Sequence, residues 1–116
     1  MNIEEFRNYC IQKKGVTEDF PFDKNTLVFK VMGKMFALVD VENFDFINLK
    51  SDPEKAVELR EKYEGIKPGY HMSKVHWNSV YVNTDVSDKL VLELIDESYK
   101  LVVSSLTKKL KEELER

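Results

Sequence analysis

Two apolar runs, Leu27 to Met32 and Met35 to Val41, flank Gly33-Lys34, and that arrangement predicts a β-hairpin. Glycine at the first turn position suits a type II′ turn, whose twist matches paired strands. The implied register sets Val31 opposite Phe36 and Phe29 opposite Leu38. Because side chains alternate across a strand, Leu27, Phe29, Val31, Phe36 and Leu38 then form the core face. Val28, Lys30, Met32, Met35, Ala37 and Val39 take the opposite one. A third strand is expected over Phe46 to Lys50, burying Ile47 and Leu49 and setting Asn48 and Lys50 beside Lys30. A fourth, about Ser79 to Asn83, buries Val80 and Val82 and turns Tyr81 outward.

Three segments carry helical spacing. Asn2 followed by Glu5 has the capping-box interval, so a helix is expected from about Ile3 to Lys13, with Phe6 and Cys10 on one face and Gly15 at its exit. Ser51-Asp52-Pro53-Glu54 repeats that interval with proline near the first turn, where a missing N–H costs nothing. That helix lays Ala56, Leu59 and Tyr63 inward and stops at Gly65. The last helix starts near Ser87 or Asp88 and runs to about Lys111, with Val91, Ile95, Ser98, Val102 and Leu106 as its buried stripe. The charged tail, residues 108–116, is expected to fray. The loop Asp19 to Asp23 contains Phe20 and Phe22, read as lids on the core.

The resulting order, α-β-β-β-α-β-α, predicts an α+β two-layer sandwich: a largely antiparallel sheet with helices on one face and the other face open. A chain of 116 residues with 42% hydrophobic and 34% charged residues fits one domain, residues 1–116. No apolar stretch approaches a membrane span, and Met1 to Glu5 lacks the basic flank and apolar run of a signal peptide. With a single cysteine, no intrachain disulfide is available, so a cytoplasmic setting is the expectation; the chain is also expected to be a monomer.

Charge sharpens this picture. The chain carries a net charge of −3, yet residues 65–84 and 24–39 contain none of its 21 acids and five of its 18 lysines and arginines. The first window also gathers both histidines, the only tryptophan, Tyr70 and Tyr81. Should the windows meet in space, they would form an anion-attracting surface on an acidic body.

Nucleic acid, DNA foremost, is the partner such a surface suits. Lys30, Lys34, Lys50, Lys67 and Lys74 would neutralise phosphates, Tyr70, Trp77 and Tyr81 would stack on bases, and Asn48 and Asn78 would touch base edges. His71 and His76 lie in the same loop and join the set. Neither window holds an arginine, so contact would be directed at phosphates rather than at guanine edges. A protein-interaction or small-anion module using the same face is the alternative, with a pocket of Tyr70, His71 and Trp77. His71 and His76 stand five positions apart in a window that holds no acid, so no metal site is expected. Cys10 reads as a buried small hydrophobe. With no phosphate loop, triad or carboxylate pair in evidence, neither an enzymatic role nor a cofactor is expected.

The segments Val28-Phe-Lys-Val-Met-Gly33-Lys34-Met-Phe36, Pro68-Gly69-Tyr70-His71-Met72, His76-Trp77-Asn78 and Ser98-Tyr99-x-Leu101-Val102 together resemble the MmcQ/YjbR family, in order and over nearly the whole chain. The resemblance implies a double-wing, CyaY-like fold and a DNA-contacting surface. Two departures accompany it: Ser73 stands where many members have Asn, and Asn83 to Ser87 lacks the usual Gly and Pro.

Overall fold

The computed structural model describes every residue from Met1 to Arg116. Six strands form one sheet: β1 (Val16–Asp19), β2 (Thr26–Val31), β3 (Lys34–Asp40), β4 (Phe46–Lys50), β5 (Ile66–Pro68) and β6 (Trp77–Tyr81), in the spatial order β1-β2-β3-β4-β6-β5. Every neighbouring pair is antiparallel. Four helices accompany it: α1 (Ile3–Ile11), α2 (Pro53–Lys62), α3 (Asp88–Ser104) and α4 (Lys108–Glu115). The α+β class with an antiparallel open sheet therefore holds, with two strands and one helix more than the sequence pattern indicated.

The main core lies between the sheet and α1 and α3. Phe6 of α1 meets Phe29 of β2 edge to face, 5.3 Å between ring centroids. Val91, Ile95 and Val102 of α3 are buried against Phe36, Ala37, Ile47 and Leu49. Ser98 sits in that stripe without exposure, because it bonds in both directions: its Oγ donates to the Phe36 carbonyl at 2.6 Å and accepts the Lys50 N–H at 2.9 Å. Asn2 and Ser87 cap α1 and α3 as expected, and Thr107, which the sequence pattern had placed inside the last helix, caps α4. The Ser51 box does not form. Asp52 takes the capping position of α2 without a side-chain bond, and Pro53 opens the helix.

The hairpin turn differs from expectation by one residue. Met32 and Gly33, with φ of 49° and 86°, form the two-residue turn, which is therefore of the I′ kind, and Val31 pairs with Lys34. A β-bulge then follows: Lys30 pairs with Met35 but Phe29 with Ala37, so Phe36 and Ala37 together oppose Phe29 and both enter the core. Ala37 and Val39 consequently face the helices, and Leu38 faces the other way beside Val28.

The edges were the unforeseen part. β1 is a four-residue strand alternating half-buried and exposed positions, and β5 has three residues ending in Pro68, which an edge tolerates because its ladder needs no further donor. Short edges of this type also discourage pairing with other chains. The charged tail does not fray. After Ser105 the chain turns, Thr107 caps α4, and Leu114 packs over Gly15 so closely that a Cβ there would lie 2.4 Å from the Leu114 Cδ1.

Candidate functional site

The register defines the face turned away from the helices. One continuous row crosses it, Val28, Leu38, Asn48, Ser79 and Lys67, with the pairs Lys30–Met35 and Lys50–Trp77 to one side of that row and Thr26–Asp40 and Phe46–Tyr81 to the other. The segment between β5 and β6 folds back over this face. Met72 N–H donates to the Gly69 carbonyl, Gly69 N–H to the Trp77 carbonyl and Trp77 N–H to the Ser73 carbonyl. Gly69 leaves no room for a side chain, since a Cβ would stand 2.8 Å from that of Trp77. Met72 and Met35 cover a small second core of Val28, Leu38 and Trp77.

Two buried polar side chains of the sheet anchor the loop. Asn48 Nδ2 donates to the Tyr70 carbonyl at 3.1 Å, Ser79 Oγ accepts the Tyr70 N–H at 2.9 Å, and the Ser79 hydroxyl donates to Asn48 Oδ1. This closed set satisfies every buried group it contains, which makes it a rigid mount rather than a strained one. From α2, Arg60 reaches the loop as well, donating through Nε to Asn78 Oδ1 at 2.7 Å and through Nη2 to the Lys74 and Trp77 carbonyls. His71, at the crest, takes a left-handed φ of 59°, and its ring rests on that of Tyr70 at 4.0 Å.

Between this loop and the segment before β2 lies a cleft of about 550 Å³. Phe22, Tyr70, His71 and Met72 stand on its rims, with Met35, Leu38, Phe46 and Asn48 below. The Phe46 and Tyr70 rings meet at 84° with centroids 5.9 Å apart, forming a square aromatic corner. Phe22 is 65% exposed and Tyr70 58%, a large apolar display for surface side chains. Asp23 and Asp40 also line the cleft, and none of the 18 lysines and arginines does. Asp23 accepts the N–H groups of Asn25 and Thr26 at 2.8 and 2.7 Å, and these bonds hold its carboxyl below the usual range.

The two acid-free windows do meet, but through Val28, Leu38 and Met35 against Met72 and Trp77, an apolar contact. Their ammonium groups are dispersed. Lys30 pairs with Asp19 at 3.6 Å, Lys34 reaches the Ser105 carbonyl at the end of α3, and Lys74 is turned onto the Gly69 carbonyl of its own loop. Lys50 and Lys67 stand in no ion pair, and Lys67 lies on the β5 edge near Glu64 and Asp85. Trp77 is only 8% exposed and cannot present a ring face. Asn78 points to the helix side, bonded to Arg60 and to the Ala56 carbonyl. Tyr81 is half-buried against Phe46, 5.0 Å between centroids, and His76 is exposed with its carbonyl holding the Ser51 N–H. Of the expected site residues, only Tyr70, His71 and Asn48 line the cleft.

Phe22, Asp23, Asp40 and Phe46 escaped the sequence analysis. Phe20 and Phe22 are exposed rather than lids on the core. The signal for Phe46 was available, because it precedes Ile47 and shares the face of Asn48.

A family model described as YjbR matches residues 11–101. The uncharacterised Escherichia coli protein YbdF is 46% identical over 91 residues, covering 78% of this chain and 75% of its own. The uncharacterised YjbR of Escherichia coli K12 is 35% identical over 107 residues, covering 91% of each chain. Among solved structures, Deinococcus radiodurans protein DR2400 superposes with a TM-score of 0.91 at 38% identity over 97% of this chain and 87% of that one. A Pseudomonas syringae protein gives 0.73 at 32% identity, over 87% and 98%.

Proposed function

From the premise that this chain belongs to the YjbR family, we propose that it is a binding module, without chemistry of its own, whose open sheet face takes a compact small-molecule ligand in the cleft between Phe22 and Tyr70. One observation carries this: an aromatic corner on a hydrogen-bonded mount beside a cavity large enough for a small molecule. A pre-formed wall costs little ordering on binding, so exposed aromatic area converts to affinity. Cys10 supplies no nucleophile, since burial pushes its thiol up to about 12. The two carboxylates disfavour an anion as the ligand. The setting we assign is cytoplasmic and the working state a monomer.

Nucleic acid is the second reading, favoured by Lys50 and Lys67, which stand in no ion pair, and by the exposed ring of Tyr70. Contact would then run along the β4-β6-β5 side of the face, be directed at phosphates and weaken steeply with salt. Two experiments separate the readings. Heteronuclear NMR with a small-aromatic fragment library is expected to shift Phe22, Tyr70, His71 and Met72. Fluorescence anisotropy with labelled single-stranded and duplex oligonucleotides over a salt series tests the other. Salt-dependent oligonucleotide binding lost on Lys50→Glu and Lys67→Glu, with no fragment in the cleft, would replace the first reading by the second.

A further inference from the structure

The charge and shape of the cleft narrow its ligand further. Its apolar wall is aromatic on two sides that meet near a right angle, Phe46 and Tyr70, with Phe22 on the opposite rim. Ring faces carry negative electrostatic potential, so aromatic side chains that line a cleft favour a cation where a face is free to meet it. The polar complement has the same sign. Asp23 and Asp40 both line the space, and backbone donors hold both without neutralising them: Asn25 and Thr26 for Asp23, Glu42 and Asn43 for Asp40. The hydrogen bonds to Asp23 favour its charged form at all ordinary pH values. No lysine or arginine lines the cleft to cancel them, and His71 is turned onto the Tyr70 ring.

Resting on the reading of the cleft as a ligand site, we propose that it accepts an organic cation, an alkylated ammonium or guanidinium group, seated between the Phe46–Tyr70 corner and the carboxylates of Asp23 and Asp40. Alkylation matters because a bare ammonium stays strongly hydrated, whereas a methylated or delocalised cation gives up water cheaply and fills an apolar corner. Carboxylates at the rim steer the cation without burying a full ion pair, which avoids the desolvation penalty of a closed salt bridge. An anionic ligand would meet the opposite balance.

Choline and its uncharged tert-butyl isostere, which share shape and differ in charge, provide the test. Heteronuclear NMR titration of the full chain is expected to show choline shifting Tyr70, His71 and the Asp23 segment, with affinity on the order of tenfold above the isostere at low salt. Asp23→Asn combined with Asp40→Asn keeps the acceptor oxygens of both turns and is expected to reduce that preference, leaving only what the aromatic wall supplies. Tyr70→Ala removes an exposed ring, leaves the fold intact and is expected to weaken choline while the spectrum elsewhere is unchanged. Equal affinity for the two probes would overturn the cation assignment and leave the cleft as a ligand site. Absence of choline shifts at millimolar concentration would also overturn it, and a fragment screen that is silent at the same residues would remove the cleft reading too.

Discussion

Asn48 and Tyr70 lie 22 residues apart, and the buried amide of the first holds the carbonyl of the second at 3.1 Å. Asn48 is 7% exposed and Ser79 1%, so removing either partner strands polar atoms where water does not reach. Asn48→Leu is therefore expected to destabilise by about 1–3 kcal/mol, the cost of unsatisfied buried groups. The more informative change is local. Hydrogen exchange at the Tyr70 amide, bonded to Ser79 Oγ, should accelerate well beyond the loss in global stability, because the loop is freed while the helical side stays packed. A uniform acceleration across the sheet would show that the bond supports the fold rather than the loop.

Ser98 plays the matching part on the helix side. The bulge at Phe36 takes that carbonyl out of the strand ladder, and Ser98 Oγ supplies its donor while accepting the N–H of Lys50. Ser98→Ala orphans both backbone groups at a site with no exposure, and a loss of about 2–4 kcal/mol is expected by urea denaturation. Ser98→Thr keeps the hydroxyl but adds a methyl where packing is closed, so it should restore only part of the stability.

Gly33 isolates a backbone effect. A Cβ there meets nothing within 4 Å, yet φ is 86°, a region that L-residues with a side chain avoid. Gly33→Ala should cost about 1–2 kcal/mol without disturbing a single contact, and Gly33→Asn less, since asparagine tolerates the left-handed region better. Thermal unfolding of the two variants gives the ordering directly.

How much of this could be read from the chain depends on where the information sits. The hairpin is plain from two apolar runs around a glycine, but its register rests on Met32 adopting φ 49°, which methionine rarely does and composition does not announce. That shift, together with the bulge, exchanges Leu38 for Ala37 and Val39 on the core face. The orientation of Asn78 was legible and overlooked: the alternation that buries Val80 also turns Asn78 inward once β6 starts at Trp77. Lysine positions were legible, but not their partners: Asp19 ends β1, an edge strand the pattern did not announce, and Ser105 follows a helix distant in sequence. The cleft was out of reach for the same reason, as Phe22, Phe46 and Tyr70 converge only when the sheet assembles.

Acid stability follows from three carboxyls held below their ordinary range. The backbone N–H groups of Gly65 and Glu64 bind Asp85, and those of Asn25 and Thr26 bind Asp23. Asp96 is resisted by burial, but the Lys13 ammonium and the Tyr9 hydroxyl outweigh that and favour its ionised form. A depressed folded-state pKa contributes stability that is fully present above the unfolded value and disappears as pH falls through the folded one. The chain should thus hold constant stability from neutrality down to the ordinary carboxylate range, about pH 4, and lose it progressively below. Urea midpoints measured between neutral and strongly acidic pH check the window. Asp85→Ala should lower stability at neutral pH and flatten the acid limb, because the Glu64 and Gly65 donors then lose their acceptor at every pH. Exposed Glu115, which holds no hydrogen bond or ion pair, serves as the control: Glu115→Ala should leave both features unchanged. An acid limb that persists unaltered in the Asp85 variant would shift the effect onto Asp23 and Asp96.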